Sequence, residues 1–258
     1  MKLLLTGSTT LLRRELIRFY RQRSRIIGSL AMPVIVWGLL GTGLQAAFPS
    51  GMGQETREFL KYFFPGNLIL TLLFTAIFST ISVIEDRNEG FLQSVLVSPL
   101  SPLGLVLGKV VGGALIAFFQ GLVFLSLAPL AGFDLSWNQL AWVLLSIFMI
   151  SFSMTGLGFF FAWKLDSVQG FHAVMNLVLF PMWLLSGAFF PLESASWFIK
   201  PLMWINPLTY GMTALKSALA GVSGEPEFLL PLTILFAFGI VFLVACVLNM
   251  NQKREAVR

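Results

Sequence analysis

The chain has 258 residues, 57% hydrophobic and only 11% charged, with a formal net charge of +5. Soluble domains carry about 25% charged residues, so water is excluded as the main solvent for most of this chain. A single cysteine (Cys246) and a single histidine (His172) exclude an internal disulfide framework and any multi-Cys or multi-His metal centre.

Charge-free apolar runs of about 20 residues match the length of a helix that crosses a bilayer core. Their continuity argues against the alternating strands of a membrane β-barrel. The expected fold is therefore an all-α integral membrane protein, read as one unit over 1–258. Six spans are expected, at 26–47, 62–84, 103–132, 139–163, 171–190 and 228–250. The opening apolar stretch is too short for a cleaved signal peptide.

Residues 9–25 precede the first span. At 100° per residue, Leu12, Leu16 and Phe19 fall on one face, and Arg14, Arg18, Arg21 and Arg25 fall on the other. That pattern predicts an amphipathic helix lying at the membrane interface, with its cations near anionic lipid.

Between the second and third spans lies a polar segment, 85–102. It opens with Glu85, Asp86, Arg87, Asn88 and Glu89, passes Gly90, and closes with Ser98, Pro99, Ser101 and Pro102. A short amphipathic helix over about 89–96 is predicted, ended by prolines, which lack the backbone donor and clash with the preceding turn.

The third span carries Gly104, Gly108 and Gly112 at four-residue intervals, with Gly113 beside them. Such a stripe lets another backbone approach closely, either within one subunit or between two. The connection 191–227 holds Pro191, Pro201 and Pro207 with Trp197, Trp204 and Tyr210. Interfacial aromatics and apolar pieces too short to span predict short helices re-entering the outer leaflet. An outer gate and a structural cap on the bundle are both open readings there.

An even number of spans puts both termini on one side. With the termini inside, thirteen Lys and Arg residues face the cytoplasm and four (Arg57, Lys61, Lys200, Lys216) face out. The positive-inside bias therefore places both termini and 85–102 in the cytoplasm, and accounts for the basic excess without nucleic acid as a partner.

Motifs for chemistry are few. The stretch from Gly104 to Val110 has one residue too few between its glycines for a phosphate-binding loop, and no Ser or Thr after Lys109. Ser186 and His172 would lie about 21 Å apart on one helix at 1.5 Å per residue, too far for a nucleophile and its base. The six spans as drawn contain no Asp or Glu and one Lys, Lys109. A carboxylate proton relay has no residues to run on, so energy for pumping would come from another polypeptide.

Two blocks carry a family resemblance. Asp86, Arg87, Gly90, Leu92, Leu96, Ser98 and Pro99 follow the order Glu/Asp-Arg-x-x-Gly-Thr-x-Glu, then Leu-x-x-x-Pro, with two residues instead of three between Leu96 and Pro99. Ser186, Gly187, Phe190 and Pro191, then Asn206, Pro207 and Tyr210, follow Ser-Gly-x-x-Phe-Pro and Asn-Pro-x-x-Tyr. Together they resemble the permease subunits of ABC-2 type exporters over nearly the whole chain. Phe91 stands where that family has Thr, and Gln93 where it has Glu, which removes a carboxylate from that position.

The resemblance implies a type V exporter-like fold in the bacterial cytoplasmic membrane. It implies pairing with a second permease, a copy or a homologue, and docking of a cytoplasmic ABC ATPase on the coupling helix. Glu85, Asp86 and Arg87 would set the electrostatic register, and Glu89, Gly90, Gln93, Ser98 and Pro99 would belong to the same ATPase-coupling segment. Phe91, Leu92 and Val95 would fill a groove in the ATPase. Ser186, Gly187, Phe190, Pro191, Asn206, Pro207 and Tyr210 would form the outer gate. No cofactor is expected in this chain, because ATP and magnesium would sit on the ATPase. The passenger would be a drug, a lipid or a glycan-linked amphiphile. A non-conducting scaffold or regulatory subunit that binds such an ATPase is the alternative.

Overall fold

A computed structural model describes residues 2–47, 53–97, 101–192, 194–222 and 226–257. Among them all regular structure is helical. Five stretches are long and apolar enough to cross a membrane: Glu58–Asn88, Pro102–Leu125, Trp137–Lys164, Val168–Ala188 and Phe228–Gln252. The expected first span lies on helix α2, Arg23–Ala47, whose described apolar part, Ile26–Leu39, is shorter. The chain is a multi-pass membrane protein.

Helix α1 covers Lys2–Arg21 and is separated from α2 by Gln22 alone. The expected 9–25 helix thus starts earlier and stops earlier, and Arg25 belongs to the first turn of α2. Helix α3, Gly53–Ser79, runs into α4, Ile81–Asn88, through a break at Thr80. There the hydroxyls of Ser79 and Thr80 donate back to Ala76 O and Ile77 O at 2.7 and 2.6 Å. Such back-bonding competes with the helical ladder and bends it.

Helix α5, Phe91–Val97, follows Gly90, whose φ of +77° turns the chain at low cost for a residue without Cβ. Helix α6, Pro102–Leu125, is started by Ser101, which accepts from Gly104 N at 3.1 Å, with Pro102 in the first turn where its missing donor is harmless. It stops at Leu125, short of the expected 132. Pro129 supplies no N–H, and the chain turns through Gly132 at φ +83°.

Helix α7, Trp137–Lys164, opens on a reciprocal cap between Ser136 and Gln139. Helix α8, Val168–Trp183, continues as a π-turn, Leu184–Ala188, in which Gly187 sits at φ +90°. The connection 191–227 contains α9, Lys200–Ile205, and α10, Pro207–Ala220, and α11 covers Pro226–Val257. At about 21 Å, α10 is too short to span, yet its Leu208, Met212, Ala214 and Leu215 are fully or almost fully buried.

Helix α3 is the axis of the bundle. Phe64, Leu68, Ile69, Leu72, Leu73 and Ile77 have no exposed surface. Small residues let α6 and α7 close on it. A Cβ at Gly121 would meet Leu72 Cδ2 at 2.5 Å, and one at Gly158 would meet Ile77 Cδ1 at 3.0 Å. The glycine stripe of α6 receives α1 of the same chain: a Cβ at Gly108 would meet Ser8 O at 2.9 Å, and one at Gly112 would meet Glu15 Cβ at 3.2 Å. Gly113, on another face, is closed by Ser79 and Thr155. Tight packing inside one subunit is therefore the use of this stripe.

Candidate functional site

The polar segment begins inside a helix. Glu85, Asp86 and Arg87 extend α4 beyond the expected end of the second span at 84. Asp86 is completely buried. Both of its oxygens are taken by Arg14, at 2.7 and 2.9 Å, in the bidentate geometry that suits a guanidinium and a carboxylate. Arg18 donates to Asp86 at 2.9 Å and to Glu85 at 2.8 Å. Lys109 reaches Asp86 at 2.5 Å, Glu15 at 2.8 Å and the hydroxyl of Ser82 at 3.3 Å.

Three cations thus balance three carboxylates. Burying any one of them alone would cost several kcal/mol. Together they are tolerable, and each holds the others in place. The hydrogen bonds that Arg14 donates to Asp86 hold its guanidinium above its ordinary pKa, so Arg14 stays charged at every accessible pH.

This cluster bears on two expectations. Asp86 is buried and held by Arg14, Arg18 and Lys109 of its own chain. Arg14 and Arg18 face the cluster instead of lipid headgroups. Arg21 remains on the exposed side of α1. Glu15, Ser82 and Lys109 were absent from the expected site. The signal available for Lys109 was its isolation in an apolar run.

Arg87 turns the other way. It donates to Trp163 O at 3.0 Å and to Leu165 O, and lies 3.5 Å from Asp166. It thereby satisfies carbonyls left open at the end of α7 and ties the α4–α5 corner to the α7–α8 turn.

Helix α5 is anchored to this assembly. Arg14 lies over the ring of Phe91 at 3.9 Å. Leu92 is 3% exposed and belongs to the protein's own core, so it is not a side chain offered to a partner. Glu89, Gln93 and Ser94 are exposed. Ser98 and Pro99 lie outside the described residues, as do the side chains of Arg25 and Val95.

The second predicted site lies at the other end of α3, about 36 Å from Asp86 when counted from Tyr62. The π-turn and Gly187 leave backbone carbonyls without helical partners, and side chains supply them. Asn206 Nδ2 donates to Met182 O at 2.7 Å, and Thr209 Oγ1 to Leu185 O at 3.2 Å. Lys216 Nζ donates to Gly187 O at 2.8 Å, and Tyr62 OH to Phe189 O at 3.0 Å. Ser186 donates to Trp183 O at 2.6 Å.

Asn206 also caps α10 by accepting from Leu208 N at 3.0 Å, with Pro207 in the first turn. Tyr210 OH donates to Trp204 O at 2.7 Å. The two halves of the second sequence block, Ser186 with Gly187 and Asn206 with Pro207, are thus brought together. Phe190 is half-buried, and Pro191 is exposed as the chain leaves the turn. His172 packs against the rings of Phe78 and Phe171, at 5.1 and 6.5 Å.

The family described as ABC-2 type transporter matches residues 7–220. The chain is 28% identical to the probable multidrug ABC transporter permease YbhR of Escherichia coli (strain K12), over 58% of this chain and 41% of that protein. It is 24% identical to the putative transport permease ycf38 of Cyanophora paradoxa, over 80% of this chain and 71% of the relative. It is also 24% identical to the inner membrane transport permease YhhJ of Escherichia coli (strain K12), over 64% of this chain and 44% of the relative. The matched region thus spans less than half the length of both E. coli relatives.

Proposed function

We propose, from the premise that this chain belongs to the ABC-2 type transporter family, that it is the membrane subunit of an ATP-driven exporter for a hydrophobic or amphiphilic passenger. In this reading α2 completes a set of six spans, both termini lie in the cytoplasm, and α1 lies at the interface. A cytoplasmic ABC ATPase supplies ATP hydrolysis and holds the nucleotide and magnesium. A second permease, a copy of this chain or a homologue, completes the pathway.

The observation that carries the proposal is the charge cluster beneath α5. A helix that receives force must pass it on, and α5 is fixed to α1 through Phe91 and Arg14. Through Asp86 the same cluster holds α1, α4 and α6, and through Arg87 the corner holds α7. Movement of α5 by an ATPase would therefore shift four helices together. Glu89, Gln93 and Ser94 form the exposed surface on which the ATPase would dock, in place of Asp86 and Leu92.

Gln93→Lys with Ser94→Lys should abolish co-purification of a co-expressed partner ABC ATPase, with membrane insertion and detergent thermal stability unchanged. Undiminished co-purification would remove the docking assignment. Reconstitution of the intact pair should give ATP-dependent movement of amphiphilic dyes or labelled lipids across the vesicle wall. ATP hydrolysis without movement of any passenger across such a panel would favour the scaffold or regulatory reading.

A further inference from the structure

The four arginines of α1, Arg13, Arg14, Arg18 and Arg21, divide into two pairs. Arg14 and Arg18 are neutralised by Asp86 and Glu85. Arg13 and Arg21 are exposed and have no ion-pair partner among the described residues. With Ile17 they fall at four-residue intervals, so the two guanidinium groups flank one apolar side chain along a single helical face. All three line a surface cleft of about 500 Å³.

A second groove, about 620 Å³, opens beside the first and shares Ile17 and Arg21 with it. Its walls are Leu16 and Phe19 from α1, Ile26 and Leu30 from α2, and Ile116 and Phe119 from α6. Besides Tyr20 and Arg21, its one polar lining residue is Gln120, which is occupied within the protein. Its oxygen accepts from Ser29 at 2.8 Å, and its amide donates to Ile26 O at 3.4 Å. The groove therefore offers apolar surface to whatever enters, and its size is that of a typical small-ligand site.

We propose that the joined clefts form a binding site for one anionic phospholipid of the surrounding bilayer. Its phosphate lies between Arg13 and Arg21, and an acyl chain lies in the groove between α1, α2 and α6. Charge complementarity selects the head, because these two are the α1 arginines that the carboxylate cluster leaves uncompensated. The multi-pass bilayer setting selects the tail, because Phe119 and Val123 at the groove edge are more than half exposed. The lipid would brace the α1–α2 joint from outside, opposite the charge cluster that holds α1 from within.

The test uses the full chain in phosphatidylcholine vesicles that contain a little phosphatidylglycerol with a photoreactive acyl terminus. A parallel arm carries the same chain on phosphatidylcholine. The phosphatidylglycerol probe should label α1 and α6 around the groove above the equally lipid-exposed Val241 and Val244 of α11. Arg13→Gln with Arg21→Gln should lower that labelling by roughly fivefold per guanidinium removed, with the phosphatidylcholine probe unchanged. Val123→Trp, which crowds the groove from an exposed position, should lower labelling by both probes.

Uniform labelling of groove and α11 would overturn the proposal. So would an unchanged phosphatidylglycerol preference in a double variant that keeps its elution volume and melting midpoint. No ATPase takes part in the measurement, so its result is independent of the exporter assignment.

Discussion

The two ends of α3 solve one problem, polar groups without water, by different means. At the Asp86 end the groups are formal charges, and they are satisfied by one another across 23 to 94 residues of sequence. At the Tyr62 end the groups are mostly backbone carbonyls of a broken helix. They are satisfied by neutral side chains and one lysine, from α10 and from α3. A charge network fails as a unit, because loss of one member strands the others. A set of separate hydrogen bonds fails one bond at a time. The first arrangement suits an element that must move as a block, and the second suits a local break that must be held open.

The strongest way to test that contrast is Asp86→Ala. It leaves Lys109, Arg14 and Arg18 with excess buried positive charge and should destabilise the protein by about 3–5 kcal/mol, seen as a large fall in the detergent melting midpoint. Adding Lys109→Met should recover part of the loss, because it removes the most buried stranded charge. No recovery would mean that the cluster is not electrostatically coupled.

At the opposite end, Asn206→Ala removes both the α10 cap and the donor to Met182 O. It should cost about 1–2 kcal/mol, and the same Lys109→Met change should add to it independently. Smallest of all, Tyr210→Phe removes one exposed hydrogen bond to Trp204 O and should cost about 0.5–1.5 kcal/mol by the same melting measurement. A loss at Tyr210 equal to that at Asp86 would erase the distinction between the two ends.

Much of the second site was readable from residue order. Gly187 supplies the positive φ, Pro207 and Asn206 start a helix, and each signal acts within a few residues of its effect. The short helix after Gly90 was equally readable, since Gly90 and the apolar spacing that follows it are local. The fate of Asp86 was not. A cluster of four charges after an apolar run reads as the edge of the membrane, and it takes three-dimensional proximity to Arg14 and Lys109 to bury one of them. For the same reason Arg14, Arg18, Arg21 and Arg25 read as one cationic face, although Arg14 and Arg18 turn inward while Arg21 remains outside.

By itself the sequence determined that this is a helical membrane protein, roughly where its helices run and where they break. Length, hydropathy and caps are properties of contiguous residues, and the bilayer imposes them on each segment separately. Only the tertiary structure decided which charges are spent inside the chain and which remain for a partner or a lipid. That choice depends on Glu15, Asp86 and Lys109 meeting across three helices, and ion pairs between distant segments leave no spacing rule in the sequence.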